Sequence, residues 1–251
     1  MKLFFGEIFP EIEINDDEQQ HIIKVLRMRE GEEISVTDGK GNLAKGNLFF
    51  EGKKVKLNSV EIQENLPDFP IKLHIAIAPT KNIDRTEFFL EKAVEMGISE
   101  ITFLQTEKSE RKNINFDRFQ KQAIAASKQS LRFHFPKINP LTKLSDFVKT
   151  INSEKTFVAH CHENLERIDL KKIQDPRFKI QNFDLSETDN QQPTTDNQIT
   201  FLIGPEGDFS EKEIQLLANS GIKAVSLGSQ RLRTETAGIF VAAWNYEKME
   251  V

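Results

Sequence analysis

The strongest constraint on the fold is the alternation of short apolar runs with amphipathic segments from residue 71 onwards. The apolar runs are three to six residues long, which is typical of buried strands, and the segments between them repeat their apolar residues with helical spacing. The predicted strands are 73–78, 101–104, 156–159, 199–203 and 225–227, and the predicted helices are 85–96, 116–130, one beginning at Ser210, and 235–246. Strands that alternate with helices predict an α/β domain with a mostly parallel sheet.

The first seventy residues have a different pattern of apolar residues, which predicts a small β-rich module. The predicted strands are 2–5, 33–38, one that runs through Phe50, and 55–60. A helix is predicted after Asn15, an N-cap residue followed by three acids, and Gly31 is predicted to end it. Because Pro67 and Pro70 favour an extended linker, we predict two domains, 1–70 and 71–251. A polar stretch over 181–197 predicts a flexible insertion.

Charge and composition exclude several protein classes. The net charge of -5 argues against a general nucleic-acid coat. The segment 108–137 nevertheless holds eight basic and two acidic residues, which is typical either of a polyanion-binding face or of a solvated helix flank. The apolar run 237–244 is far shorter than the ~20 residues that span a bilayer, and the N-terminus is too short for a signal-peptide core. We expect a cytoplasmic protein without a membrane partner.

Cysteine and histidine positions argue against a metal centre. The single Cys161 excludes an internal disulfide and a multi-cysteine zinc site. His160 and His162 follow a predicted strand, but the other three histidines are scattered along the chain. A metal site needs three or four converging ligands, so we expect no metal and interpret the pair as polar residues at a strand end.

The first candidate site is the loop that follows the predicted strand 199–203. Gly204 and Gly207 would allow the backbone to approach a ligand closely, and Pro205 would stiffen the loop. Ser210 and Glu213 have capping-box spacing for the next helix. Ligands of open α/β sheets bind beyond the carboxyl ends of the strands, so the loop is either a ligand site or an ordinary strand-to-helix turn.

The second candidate site lies between the last predicted strand and the last predicted helix. Thr234 can cap that helix, Glu235 suits its first turn, and Arg233 precedes the cap. An arginine at this point could hold an oxygen that gains negative charge. The alternative is a surface pair between Arg233 and Glu235 that contributes little to stability.

The two loops, 203–207 and 227–237, together resemble the paired signatures of SPOUT methyltransferases. With the segments 21–31, 38–39 and 125–132, they resemble the RsmE family of 16S ribosomal RNA uridine-N3 methyltransferases over nearly the whole chain. The resemblance implies a SPOUT-type α/β domain with a C-terminal trefoil knot, preceded by a small PUA-like β-barrel domain that binds RNA. It also implies a homodimer that uses S-adenosylmethionine and acts on 16S rRNA within the small ribosomal subunit.

The resemblance also implies roles for individual residues. Arg233 and Glu235 would face the target base, Arg233 would stabilise the uracil oxygens, and either Glu235 or solvent would take the N3 proton. Gly204 would press on the adenine of the cofactor. The implied cofactor-binding residues are Ile203, Gly204, Pro205, Glu206, Gly207, Leu227, Gly228, Leu232, Thr236 and Ala237. The expected RNA-binding residues are Lys24, Arg27, Arg29, Arg111, Lys112, Lys121 and Arg132.

The chain departs from the family pattern at three places, and two other functions stay open. Asp208 stands where the family often has glycine, Gln230 and Arg231 stand where it has a basic-apolar pair, and Lys128 replaces a usual glutamate. One alternative is a methyltransferase that acts on another RNA such as tRNA. The other is a non-catalytic protein that docks on ribosomal RNA.

Overall fold

The computed structural model describes residues 1–70, 72–162, 166–173 and 198–247. The chain forms two compact units. One contains Met1–Asp68 and Lys121–Phe135, and the other contains Phe69–Gln120 and Pro136–Val251. The predicted insertion 181–197 lies outside the described residues.

The first unit is built on a five-stranded sheet of order β2-β1-β3-β4-β5. Its strands are β1 (Leu3–Glu7), β2 (Glu13–Ile14), β3 (Glu33–Thr37), β4 (Leu43–Glu51) and β5 (Lys54–Gln63). Strand β1 runs parallel to β3, and the other neighbours are antiparallel. The buried core comprises Phe4, Ile14, Ile22, Met28, Ile34, Val36, Leu48 and Val55.

The helix of the first unit ends earlier than the sequence predicts. Helix α1 (Asp16–Gln20) continues as one π-helical turn, His21–Val25, so the expectation that Gly31 ends it is wrong. Ile22 and Met28 are both buried in the core. Residues six apart fall on different faces of a regular α-helix, so both side chains reach the core only if the helix widens and stops.

The segment Lys121–Phe135 packs within the first unit, although the sequence prediction gave it to the second domain. Its chain pairs with the turn after β3: the N–H of Gly41 donates to Phe133 O at 2.9 Å, and that of Phe135 donates to Gly39 O at 2.8 Å. The rings of Phe5 and Phe135 lie 5.2 Å apart. These contacts join residues 92 to 130 positions apart, which linear patterning does not reveal.

The second unit contains a seven-stranded sheet of order β10-β12-β9-β11-β6-β7-β8. Every neighbouring pair in it is parallel, which confirms the α/β prediction. Its strands are β6 (Lys72–Ile77), β7 (Glu100–Gln105), β8 (Lys137–Lys143), β9 (Thr156–Ala159), β10 (Ile168–Asp169), β11 (Gln198–Ile203) and β12 (Lys223–Ser226). The sequence did not predict β8, because Pro140 interrupts it; a proline is tolerated there since β8 is an edge strand.

Within the described ranges, five α-helices follow strands of this sheet or the loops between them. They are α2 (Ile83–Glu95), α3 (Phe116–Gln129), α4 (Leu144–Phe147), α5 (Glu211–Asn219) and α6 (Thr234–Glu247). Helices α2 and α6 pack closely because Gly238 has no side chain: a Cβ there would lie 2.4 Å from the Phe89 ring. No helix in the described part of the chain has both the length and the apolar character to cross a bilayer.

Candidate functional site

A cavity of about 300 Å³ opens at the carboxyl edge of the parallel sheet. Strands β9, β11 and β12 all end there, because the carboxyl ends of parallel strands meet at one edge. Residues 159–161, 203–206 and 225–234 form the three walls, and Asp208 and Ala237 also contribute. The volume is at the lower end of the range for small-molecule sites, roughly 300–1,000 Å³.

The loop after β11 is held in shape by its own backbone and by a lysine. The N–H of Asp208 donates to Pro205 O at 2.8 Å and closes a turn. The Nζ atom of Lys108, which follows β7, lies 2.9 Å from Gly207 O and 3.2 Å from Phe209 O. The wall is therefore fixed from outside the cavity.

The predicted capping box after this loop is confirmed. Ser210 Oγ accepts the N–H of Glu213, and the Glu213 carboxylate accepts the N–H of Ser210 at 2.8 Å. The same carboxylate accepts the N–H of Glu107 at 2.7 Å. Helix α5 thus begins at a defined point and anchors the end of the loop.

The space at Gly204 is limited by its neighbour Phe209. A Cβ at Gly204 would lie 3.1 Å from the fully buried Phe209 ring. The position is therefore constrained by packing within the protein, in addition to the constraint from the adenine of a cofactor that the family resemblance implies.

We predict that Gly204→Val lowers the free energy of unfolding by about 1–3 kcal/mol, because the branched side chain overpacks against Phe209. Urea denaturation measures this effect. Ala218→Val is the control, since it places the same valine side chain at an exposed position of helix α5. A Gly204→Val protein as stable as the parent would contradict the packing explanation.

The loop between β12 and α6 forms the second wall. Gly228 has a φ of 130°, and a Cβ there would point into open space. The hydroxyl of Thr234 does not cap α6 as expected but donates to Gly204 O at 3.0 Å, which joins this wall to the first. The N–H of Ala237 donates to Arg233 O at 2.8 Å, so Arg233 is the residue that caps α6. Its side chain is exposed and lines the cavity.

The third wall follows β9 and contains His160, Cys161 and, further along, Arg167. Arg167 Nη1 donates to His160 O at 2.9 Å. Burial lowers the pKa of His160, against the attraction of Asp208, so its ring is neutral at pH 7. None of these three was predicted to be a site residue; the signal that could have found them is their place just beyond a strand of the same parallel sheet.

Two charged residues connect the site to the loop after β6. Glu206 Oε1 accepts the N–H of Lys81 at 3.0 Å. Arg111 donates to Thr80 O at 3.2 Å and to Lys81 O at 2.7 Å. The guanidinium of Arg111 therefore supports a loop, whereas the neighbouring Lys112 is exposed.

The cavity brings together most of the predicted cofactor residues. Those that line it are Ile203, Gly204, Pro205, Glu206, Leu227, Gly228, Leu232 and Ala237. Gly207 faces the Lys108 side chain and Thr236 is exposed, and neither lines the cavity. Glu235 also lies outside the lining: it is buried, and its Oε1 is 3.8 Å from Arg85 Nε. Among the described residues, its Oε2 has no hydrogen-bond partner.

Three predicted RNA-binding residues form an exposed basic surface on the first unit. Lys24, Arg27 and Arg29 are exposed in and just after the π-helical turn. Exposed apolar side chains lie between them, with Val25 66% and Leu26 45% exposed. We call this stretch, residues 23–29, the basic turn.

The two other predicted RNA-binding residues of the first unit have intramolecular roles. Lys121 Nζ pairs with Asp17 Oδ2 at 2.7 Å. Arg132 is buried, with Nη2 3.9 Å from Asp68 Oδ1, and burial lowers its pKa to about 10 despite that carboxylate. The expectation of an RNA-facing Arg132 does not fit its burial.

The histidines that follow β9 do not form part of a metal-ligand cluster. The rings of His160 and His162 lie 5.5 Å apart, edge to face. Across the parts of the chain that the structure describes, no three His, Cys, Asp or Glu side chains converge as metal ligands.

Family models match most of the chain. An RNA methyltransferase domain matches residues 67–245, and an RNA methyltransferase PUA domain matches residues 14–56. The ribosomal RNA small subunit methyltransferase E of Rickettsia conorii is 30% identical over 245 residues, which cover 93% of this chain and 88% of that protein.

Solved structures agree with these matches. A probable rRNA-methyltransferase from Porphyromonas gingivalis has a TM-score of 0.82 and 32% identity, covering 100% of this chain and 99% of that one. The ribosomal RNA small subunit methyltransferase E from Neisseria gonorrhoeae bound to S-adenosyl methionine has a TM-score of 0.78 and 25% identity, covering 97% and 96%. With a PUA domain before a parallel-sheet methyltransferase domain, the chain belongs to the family of ribosomal RNA small subunit methyltransferases E and is an RNA methyltransferase.

Proposed function

We propose that the protein uses S-adenosylmethionine to methylate N3 of a uridine in 16S rRNA of the small ribosomal subunit. The observation that carries the proposal is the cavity in which both signature loops meet, with Arg233 on its lining. The family membership favours an enzyme over a non-catalytic RNA-binding protein.

The chemistry of the cavity fits S-adenosylmethionine. Apolar side chains suit a purine ring, acidic side chains suit a sulfonium, and arginines suit a carboxylate. The open space in front of Gly228 leaves room for a ligand beside the second wall of the cavity. The residues proposed to hold the cofactor are Leu227, Leu232 and Ala237 for the apolar part, Glu206 for the cation, and Arg167 and Arg231 for the carboxylate. When bound, the cofactor supplies an electrophilic methyl group.

The chain must make uracil N3 nucleophilic. N3 carries a proton, and the anion left after its loss spreads over O2 and O4. A fixed cation near those oxygens favours the anion and lowers the pKa of N3. Arg233 is the proposed cation, since its guanidinium is exposed at the cavity and its backbone is fixed at the start of α6.

Solvent is the proposed acceptor of the N3 proton. Glu235 was the other candidate, but its carboxylate is turned towards Arg85 and does not line the cavity. We assign Glu235 to the positioning of α6, at whose first turn an acidic side chain is favourable.

The basic turn and Lys112 are the proposed RNA contacts. Lysines and arginines that neutralise phosphates release counterions, so such contacts make affinity depend on salt. Val25 and Leu26 add apolar surface that unpaired bases can cover.

We predict that Lys24→Glu with Arg29→Glu flattens the salt dependence of RNA binding. Removing one phosphate contact lowers the slope of log K against log salt by roughly one. Filter binding to a small-subunit RNA fragment at several salt concentrations measures it. Lys53→Glu with Lys54→Glu is the control, because these exposed lysines lie at the β4–β5 turn. Equal slopes in both variants would remove the basic turn from the RNA interface.

The test of the function is the mapping of methylated uridine in RNA from a deletion strain. We expect one N3-methylated uridine of small-subunit RNA to disappear and to return when the gene is restored. Loss of a methylated base from tRNA instead would favour the tRNA alternative, and unchanged RNA would contradict the proposal.

A homodimer and a C-terminal trefoil knot are also part of the proposal, with the cytoplasm as the place of action. Helix α6 buries most of its apolar residues within the chain, so its hydrophobicity alone does not require a partner. The support comes from two exposed phenylalanines on the neighbouring helices α2 and α6, Phe88 (52% exposed) and Phe240 (40% exposed).

We predict that light scattering gives twice the 28.8 kDa of one chain at micromolar concentration. Phe88→Ser with Phe240→Ser should weaken the dimer, since it removes apolar area from the proposed interface. Leu216→Ser on α5 is the control, with a similarly exposed side chain (38%). A monomeric parent protein would overturn the dimer.

A further inference from the structure

Asp208 joins two walls of the cavity. Its Oδ2 accepts the N–H of Cys161 at 2.7 Å, and its Oδ1 accepts the N–H of the next residue, Phe209, at 2.8 Å. The Cys161 bond links the loop after β11 to the loop after β9, 47 positions away in the chain. Hydrogen bonds to a carboxylate are stronger than those between neutral groups.

The backbone at Asp208 indicates that the side chain has a role. Its φ is 59°, the left-handed region, which glycine adopts without strain and aspartate only at some cost. The side chain is largely buried, at 16% exposure, with both oxygens engaged. A residue that is costly in this conformation and accepts one backbone N–H on each carboxylate oxygen is suited to fixing a loop.

His162 supplies a second connection between the same loops. Its Nε2 lies 3.0 Å from Phe209 O, and since a carbonyl only accepts, Nε2 carries the hydrogen. The same nitrogen lies 4.0 Å from Asp208 Oδ2. The two loops are thus tied at two successive residues, Asp208 and Phe209.

We propose that Asp208 is a positioning residue for the cofactor, whose carboxylate clips the β9 and β11 loops together and keeps the cavity in its binding-competent shape. The inference rests on the proposed function, because it takes the cavity as the cofactor site. Without the clip the loops separate for part of the time, and the apparent affinity falls by the fraction of competent molecules.

A direct contact between the Asp208 charge and the cofactor is the competing explanation, and two variants distinguish them. Asp208→Gly keeps the left-handed backbone and removes both acceptors. Asp208→Asn removes the charge but keeps one amide oxygen, which can still accept the N–H of Cys161. The clip predicts that asparagine retains most of the affinity; a charge contact predicts equal losses.

The experiment is calorimetric titration of the full-length protein with S-adenosylmethionine, which carries the sulfonium charge, and with S-adenosylhomocysteine, which lacks it, combined with hydrogen exchange at the Cys161 amide. We expect about tenfold weaker binding and faster Cys161 exchange for Asp208→Gly, and a decrease of about threefold or less for Asp208→Asn. In methylation assays, the KM for S-adenosylmethionine should rise while kcat changes by less than about twofold. Glu30→Gly is the control: the Glu30 carboxylate also accepts a backbone N–H, from Phe50, but in the first unit and outside the cavity lining.

Three results would overturn the inference. These are parent-like affinity of Asp208→Gly, faster Cys161 exchange with unchanged affinity, or equal losses in both Asp208 variants. A parent protein that does not bind S-adenosylhomocysteine would contradict the proposed function instead, so the two failures are distinguishable.

Discussion

Arg233→Ala should lower the methylation rate by about 100- to 1000-fold while leaving fold and cofactor affinity unchanged. Removal of one preorganised donor from an oxyanion site costs ~2.7–4 kcal/mol of transition-state stabilisation. The Arg233 side chain is exposed, so its loss leaves no cavity in the core. Single-turnover methylation of 30S subunits measures the rate, and titration with S-adenosylhomocysteine measures the affinity.

The dependence of this defect on pH separates catalysis from docking. Higher pH populates the N3 anion without help, so the Arg233→Ala rate should recover in part as the pH rises. Arg233→Lys should rescue only part of the rate, because an ammonium cannot reproduce the planar fork. Lys212→Ala is the control, since Lys212 is also exposed but does not line the cavity. A defect that is independent of pH, or confined to RNA affinity, would make Arg233 a docking residue.

The second large effect is a loss of stability in acid, caused by His74. This histidine lies on β6, and burial lowers its pKa from 6.5 to about 4, with Glu100 opposing and Lys137 assisting the shift. Its Nε2 is 2.8 Å from Thr102 Oγ1, which also accepts Asn139 Nδ2 at 2.8 Å. The ring is thus held neutral inside a polar network at the amino ends of the strands.

The direction of the change in the free energy of unfolding follows from the number of protons that each state binds. Between pH 6.5 and 4 the unfolded chain protonates His74 and the folded chain does not, so the free energy of unfolding falls as the pH falls through this window. A difference of 6.5 to about 4 corresponds to roughly 3 kcal/mol, lost in full below pH 4. Burial opposes the ionisation of Glu100, but His74 and the donors Asn139, Gln198 and Lys137 outweigh it and lower its pKa, which adds a further loss in stronger acid.

Urea unfolding between about pH 7 and pH 4 measures the effect. His74→Gln, which cannot be protonated, should be less stable at neutral pH but lose less stability between pH 6.5 and 4. His21→Gln is the control, because His21 is exposed on the π-helical turn. If His74→Gln lost as much stability with falling pH as the parent, another group would be responsible.

Short sequence patterns predicted the structural elements that depend on residues close together in the chain. Five of the seven described strands of the parallel sheet are short apolar runs, and Ser210 with Glu213 forms a capping box within four residues, so these features could be predicted. The two signature loops could also be placed at one cavity, because each follows a parallel strand.

The features that were missed depend on contacts between distant residues. The carboxylate of Asp208 accepts the N–H of Cys161, which lies 47 positions away in the chain. The hydroxyl of Thr234 donates to Gly204 O and does not cap its own helix. Arg132 resembles an RNA-binding residue in the sequence and is buried beside Asp68 in the fold. The sequence identifies the chemical groups of a side chain, but tertiary packing decides which residue that side chain contacts.

The strand order of the parallel sheet has a consequence for the growing chain on the ribosome. Strand β11 lies between β6 and β9, and its residues 198–203 pair with residues 72–77. At ~5–20 residues per second, the roughly 120 intervening residues take about 6–24 s to synthesise. Until β11 emerges, β6 and β9 present unpaired apolar edges to the cell. The nascent chain therefore passes through a period in which a chaperone that covers strand edges would protect it, and the cavity can form only after its last lining residue, Ala237, has been synthesised.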